Sequence, residues 1–215
     1  MTKAVLFDVD GTLLDTYEYI IRAYEHVTTE EGAPISRATA VLLASQGKTL
    51  RENYEMLFPE KDALRLMQAH RDFQEKNLQL VMIFPNVKET LQTLKDKGIK
   101  LATVTNRMRK SSIATMQHVK IVSMFDALLS QDDVTRAKPD PEHVSAALRA
   151  VDVEAKDAWF VGDTPVDIQA GKAAGVGTIG ISYGPHADLV AYEPDHIVYT
   201  IEDILPIVLH GHSLL

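Results

Sequence analysis

Cysteine is absent from the 215 residues. Its absence excludes disulfides, thiolate nucleophiles and cysteine-ligated zinc, and it fits a reducing, cytoplasmic setting. No run approaches the roughly 18 apolar residues of a membrane-spanning helix. Residue 1 leads straight into an apolar, strand-like segment, without the basic and then long apolar stretches of a secretory leader. The expectation is a cytoplasmic chain with no membrane partner. Basic residues are the minority charge, 22 Lys and Arg against 30 Asp and Glu for a net −8, which argues against a nucleic-acid partner. An anionic ligand would therefore need positive charge arranged locally. The eight histidines contain no HExxH pattern, and none is assigned to a metal. No internal repeat or low-complexity segment is present, and nothing in the sequence speaks to oligomeric state.

What the chain does have is a series of short apolar runs: residues 4–7 (AVLF), 99–104 (IKLATV), 126–129 (DALL), 158–161 (AWFV), 176–181 (VGTIGI) and 196–199 (HIVY). Such runs suit strands buried on both faces of a parallel sheet. Helical patterns separate most of them. Val87, Leu91 and Leu94 mark one face of a helix over 86–97, with Gly98 as its stop. Asp140 as cap and Pro141 in the first turn predict a second helix running to about Val151. Thr164, Pro165 and Gly175 bracket a third. The alternation predicts an α/β fold, a doubly wound, Rossmann-like parallel sheet. It is interrupted over 16–81, where Ile20, Ile21, Tyr24 and Val27 and then residues 62–81 repeat at helical spacing. This segment is expected to be a helical domain inserted after the first strand, with hinges near 14–16 and 82–86, leaving 1–15 and 82–215 as the core domain. Trp159 and Phe160 are expected in the core, and the scattered methionines as gap fillers.

Polar residues gather where the predicted strands end. Asp8 and Asp10 follow the first strand, and Gly11 lets backbone approach a ligand closely. Two carboxylates so close repel, and one tends to stay protonated unless a cation intervenes. A hard divalent ion such as Mg²⁺ meets that need, since it takes oxygen ligands and accepts phosphate oxygens beside them. Asp163 and Asp167, four apart after the 158–161 strand, repeat the arrangement. Thr105 and Asn106 offer a hydroxyl and an amide to a phosphate oxygen, and Lys138 offers an ammonium. Any one of these is ordinary as a turn or surface residue; four polar clusters in one chain order are not.

On these residues the sequence resembles the haloacid dehalogenase superfamily of phosphohydrolases over essentially its whole length. DVDGTL (8–13) matches the first motif, Thr105 the second, Lys138 the third and GDTPVD (162–167) the fourth. The insertion resembles the small helical cap of the subgroup that includes phosphoglycolate phosphatases, β-phosphoglucomutases and pyrophosphatase-like members, and residues 85–107 resemble the phosphoglycolate phosphatase-like branch. The resemblance implies an enzyme, a phosphoric monoester hydrolase acting on a small phosphorylated metabolite with Mg²⁺ as cofactor. It implies Asp8 as nucleophile forming an aspartyl-phosphate and Asp10 as acid and base. The metal would be held by Asp8, the carbonyl of Asp10 and Asp163, with Asp167 supporting directly or through water. Thr105 and Lys138 would bind the transferring phosphoryl, beside Asn106 and the backbone of Val9 and Gly11.

The acid at position 10 disfavours dehalogenase and phosphonatase chemistry, which lack it. The segment 45–51 is expected to contact substrate through Gly47, Lys48 and Arg51, with the two cations meeting a second anionic group. Phosphoglycolate-like monoesters lead the expected substrates. A β-phosphoglucomutase-like mutase or a pyrophosphatase is the alternative, and a catalytically silent binding protein is the alternative of another class.

Overall fold

The structure is a computed structural model, and it describes residues 1–45, 48–183 and 189–210. Eight strands, β1 (Ala4–Phe7), β2 (Leu14–Asp15), β3 (Met82–Ile83), β4 (Lys100–Val104), β5 (Ala127–Leu129), β6 (Ala158–Gly162), β7 (Gly177–Ile181) and β8 (His196–Val198), are present among them. Six of these form one sheet in the order β5-β4-β1-β6-β7-β8, and every paired neighbour is parallel. β2 and β3 form a separate two-stranded sheet. Being two residues each, they carry no readable periodicity, and the sequence gives no sign of them.

The chain comprises two compact units, Met1–Asp15 with Ile83–Leu215, and Thr16–Met82. In the first unit, β1 and β4 are buried at Ala4, Leu6, Ala102 and Val104. They pack with Ala158 and Phe160 of β6 against Val144, Ala147 and Leu148 of α7 (Glu142–Val151) and Ala170 of α8 (Pro165–Ala174). Helix α5 (Val87–Asp96) contacts β4 and the 3₁₀ turn Ile201–Asp203. Trp159 and Phe160 are both buried. The chain builds β4 and β5 on one side of β1 and then β6, β7 and β8 on the other. The strand order therefore reverses at β1, and in open α/β sheets ligand crevices form at the carboxyl ends of strands at such a reversal.

Two helix boundaries differ from the sequence expectation. Helix α7 begins at Glu142 with Pro141 in the cap position, while the Asp140 carboxylate accepts from the Glu142 N–H at 2.9 Å, so Asp140 organises the turn before the helix. Residues 62–81 are not one helix: α4 (Ala63–Lys76) ends where the Asn77 side chain donates to the Phe73 carbonyl at 2.7 Å, and a 3₁₀ turn, Leu78–Leu80, follows.

In the second unit, α4 joins α1 (Tyr17–Glu30), α2 (Arg37–Ser45) and α3 (Leu50–Leu57) around Ile21, Tyr24, Val27, Leu43, Tyr54 and Leu66. Its buried polar groups are paired. Asn53 donates to the Tyr24 hydroxyl and the Leu43 carbonyl at 2.8 and 3.1 Å, and the Tyr54 hydroxyl meets His70 Nδ1 at 2.9 Å. His70 is thus a satisfied core residue.

Candidate active site

The site assembles at the carboxyl ends of the central strands. β1 runs straight into Asp8, whose N–H donates to the Val161 carbonyl at 2.9 Å and so continues the sheet register. β6 delivers Asp163, and β4 delivers Thr105, whose N–H donates to the Leu129 carbonyl at 3.1 Å. Asp8, Asp163 and Asp167 each offer a carboxylate oxygen within 4.8 Å of the other two.

Lys138 lies at the centre of this cluster, not at its edge. Its ammonium donates to Asp8 Oδ1 at 2.6 Å, Asp167 Oδ1 at 2.7 Å and the Val104 carbonyl at 2.8 Å, and its side chain is only 3% exposed. All three ammonium protons are thereby used. Asn106 explains how the lysine reaches there. Its side-chain oxygen accepts from the Lys138 N–H and its amide donates to the Lys138 carbonyl, both at 3.1 Å. Asn106 therefore holds the backbone of the lysine loop. Asp167 also has two tasks: while one oxygen meets Lys138, the other accepts from the Thr164 N–H at 3.0 Å and from its hydroxyl, closing a capping box at the start of α8.

The turn after Asp8 is fixed from several sides. Gly11 has φ +80°, and a Cβ there would overlap the carboxylate of Asp163. Its N–H donates to the Leu14 carbonyl at 2.8 Å, so in this structure that donor, expected to help with phosphate, is engaged within the turn. Val9 is buried, and its carbonyl accepts from Leu13 and Leu14. Thr12 donates to Asp163 Oδ1 at 3.0 Å. Tyr183, which the sequence does not single out, stacks on Phe84 at 3.8 Å and donates to the Thr12 carbonyl at 2.9 Å.

A second unanticipated residue is Arg107. Its Nε and Nη2 donate to Asp10 Oδ2 and Oδ1 at 2.8 and 2.6 Å. An arginine at the end of a strand reads as a solvated charge, and only the fold brings it to a carboxylate 97 positions away. Its one local signal is its place beside Thr105 and Asn106.

Burial governs the electrostatics. It pushes Asp8 up to about 7, with Asp167 and Asp10 adding to the rise and the Lys138 ammonium opposing it. Burial likewise raises Asp163 well above the ordinary carboxylate value, reinforced by the charges of Asp8 and Asp167. For Lys138, burial alone would lower the ammonium, but the charges and hydrogen bonds of Asp167 and Asp8 outweigh it and hold it above its ordinary value. One buried ammonium thus bonds two buried carboxylates, with the half-buried Asp163 beside them, and the donor set is all oxygen. Both features suit a hard divalent cation at Asp8 and Asp163, with Asp167, whose oxygens also meet Lys138 and Thr164, close enough to support it.

The remaining expected contacts lie in the other unit. Gly47 falls outside the described residues. Lys48 is exposed, with its ammonium 3.6 Å from the Met56 sulfur, and Arg51 pairs with Glu55 at 2.7 Å one helical turn on. Thr49 caps α3 in a capping box with Glu52.

A parallel doubly wound sheet whose switch point carries paired carboxylates, a buried lysine and a strand-end threonine defines a hydrolase that works on phosphoric esters. Residues 5–181 match the haloacid dehalogenase-like hydrolase family, and the chain belongs to it; it is a phosphatase of that family. It is 34% identical over 209 residues to the pyrophosphatase PpaX of Anoxybacillus flavithermus, spanning 96% of each chain. It is 36% identical over 207 residues to the PpaX pyrophosphatase of Bacillus velezensis, spanning 95% of each. Among solved structures it is similar to a protein from Haemophilus somnus described as a predicted phosphoglycolate phosphatase, with a TM-score of 0.86, 25% identity and coverage of 96% of this chain and 97% of that one. No helix among the described residues is long and apolar enough to cross a membrane.

Proposed function

We propose that this chain is a Mg²⁺-dependent phosphatase that works through an aspartyl-phosphate on Asp8, with pyrophosphate as its preferred substrate. The observation that carries the chemistry is the cluster of buried Asp8, Lys138 and Asp167 with half-buried Asp163 at the strand-order reversal. Asp8 Oδ1 is held by Lys138, which leaves Oδ2 to attack phosphorus. A bond forms from Oδ2 to phosphorus as the bond to the leaving oxygen breaks, and that oxygen keeps the electron pair, taking a proton from Asp10 where its basicity demands one. Water then opens the acyl phosphate with Asp10 accepting its proton. Thr105 binds the transferring group and the charge of the Lys138 ammonium helps neutralise it, the main task of a protein in phosphoryl transfer. A divalent cation, which Asp8, Asp163 and the Asp10 carbonyl would hold, supplies charge neutralisation to the phosphoryl oxygens.

The sequence led with phosphoglycolate-like monoesters. The name shared by the curated relatives supports pyrophosphate ahead of them, while the Haemophilus somnus structure supports phosphoglycolate as the second reading. The test is phosphate release from pyrophosphate, phosphoglycolate and a panel of sugar phosphates, with Mg²⁺ and with EDTA. Mg²⁺-dependent release that is fastest from pyrophosphate is expected. Release unaffected by EDTA would defeat the metal assignment, and sugar-phosphate isomerisation without release would defeat the hydrolytic one.

Gly11→Ala is expected to weaken the metal response specifically. Its φ of +80° costs an alanine about 1–2 kcal/mol, and the added methyl displaces Asp163. Because groups that orient a metal ligand typically change affinity by roughly 10- to 100-fold, the Mg²⁺ concentration for half-maximal activity should rise by at least about tenfold. A Mg²⁺ titration of activity reads this directly.

A further inference from the structure

We infer that Arg107 is a positioning residue for Asp10, holding it as the proton acceptor in hydrolysis of the aspartyl-phosphate; this rests on the function proposed above. The guanidinium grips both carboxylate oxygens at 2.8 and 2.6 Å, a two-point contact that fixes direction as well as distance. The arginine is itself held. Its Nη1 donates to Ser111 Oγ at 2.9 Å, its backbone N–H donates to Thr105 Oγ1 at 3.2 Å, and its carbonyl accepts from the Gln131 N–H at 3.0 Å. Its side chain is only 9% exposed, against 23% for Asp10. The more anchored partner therefore sets the geometry of the more open one. Through the Thr105 contact, the same loop that presents a phosphoryl-binding hydroxyl also aims the base.

The step balances without any further reactant. The water oxygen forms a bond to phosphorus as the bond from phosphorus to the Asp8 oxygen breaks. Asp8 recovers its electron pair as a carboxylate, inorganic phosphate departs, and the water proton passes to Asp10.

Loss of such positioning should show in the second half of the reaction. In stopped-flow with p-nitrophenyl phosphate and Mg²⁺, Arg107→Gln is expected to release a burst of p-nitrophenol approaching one equivalent. A steady rate roughly 10- to 100-fold below the native enzyme should follow, the usual cost of misplacing a reacting group. Because both substrates pass through the same acyl phosphate, steady kcat should become equal for p-nitrophenyl and phenyl phosphate. Arg107→Lys, which keeps charge but not the fork, should fall between the two, and it carries the test if the glutamine variant folds poorly. Added to Asp10→Asn, Arg107→Gln should lower kcat by less than about threefold, since a positioning group has nothing left to position.

The inference is overturned if both Arg107 variants lack the burst and keep unequal kcat values, or if the losses multiply with Asp10→Asn. A rise in KM for pyrophosphate at unchanged kcat would also overturn it and make Arg107 a substrate ligand instead. Turnover surviving in Asp8→Asn would instead defeat the underlying reading of the site.

Discussion

Asp8→Asn should lose p-nitrophenyl phosphate turnover by roughly 10⁴-fold or more, the scale seen when a catalytic nucleophile is removed, while remaining folded. An amide oxygen is neutral and cannot form the acyl phosphate, so no alternative route within the site replaces it. The same substitution should raise stability in the absence of divalent ions. Burial and the neighbouring carboxylates push Asp8 up to about 7, so at pH 8 its charge is held against an unfavourable environment even after the Lys138 ion pair at 2.6 Å is counted. Replacing that charge with an amide relieves the conflict, and Lys138 keeps Asp167 as a partner at 2.7 Å. A gain on the order of a few kcal/mol is the scale that such a shift implies. Thermal melts in EDTA at pH 8 check it: a variant both inactive and more heat-stable is the signature of a residue retained for chemistry. A variant with native turnover would remove Asp8 from the mechanism.

The fold class was legible because each strand of the main sheet is a short, mostly apolar run, buried throughout in the central β1 and β6, and its helices announce themselves with Thr164, Pro165 and Gly175 or with the Val87, Leu91 and Leu94 stripe. What escaped was structure without a periodic signal: the two-residue strands at Leu14–Asp15 and Met82–Ile83, and the break at Asn77, where a side chain takes over the Phe73 carbonyl. The identities of the clustered site residues were legible for a different reason, since strand ends on a parallel sheet converge and the types Asp, Thr and Lys share one chemistry. Their partners were not. Spacing does not reveal that Lys138 is enclosed by three acceptors, that Asn106 grips the lysine loop, or that Arg107 holds Asp10. Those are contacts between elements about 30 to 130 positions apart, fixed only when the sheet order is known.

Lys138→Met should produce the second large effect, and its pH and metal dependence carry the sign. The methionine fills similar volume but leaves Asp8 and Asp167 without the ammonium that both now share. Breaking a buried ion pair by removing one partner typically costs about 3–5 kcal/mol, and the loss of one transition-state donor lowers kcat by roughly 10²- to 10³-fold. The native protein should follow the trend that the variant exaggerates. A carboxyl whose folded value lies above its unfolded value binds a proton in the folded state that the unfolded state has released, so stability falls as pH rises between the two. For Asp8 that window runs from its ordinary 3.8 to about 7, and Asp163 shifts in the same direction. In EDTA, native Tm should therefore fall from pH 5 to pH 7, and more steeply in Lys138→Met, where the one opposing charge is gone. Mg²⁺ should flatten both curves and stabilise more at pH 7 than at pH 5, because the cation binds the ionised carboxylates and competes with protons for them. Melts that rise with pH in EDTA, or that Mg²⁺ shifts equally at both pH values, would show that these carboxylates do not sit in the strained, cation-seeking state their burial dictates.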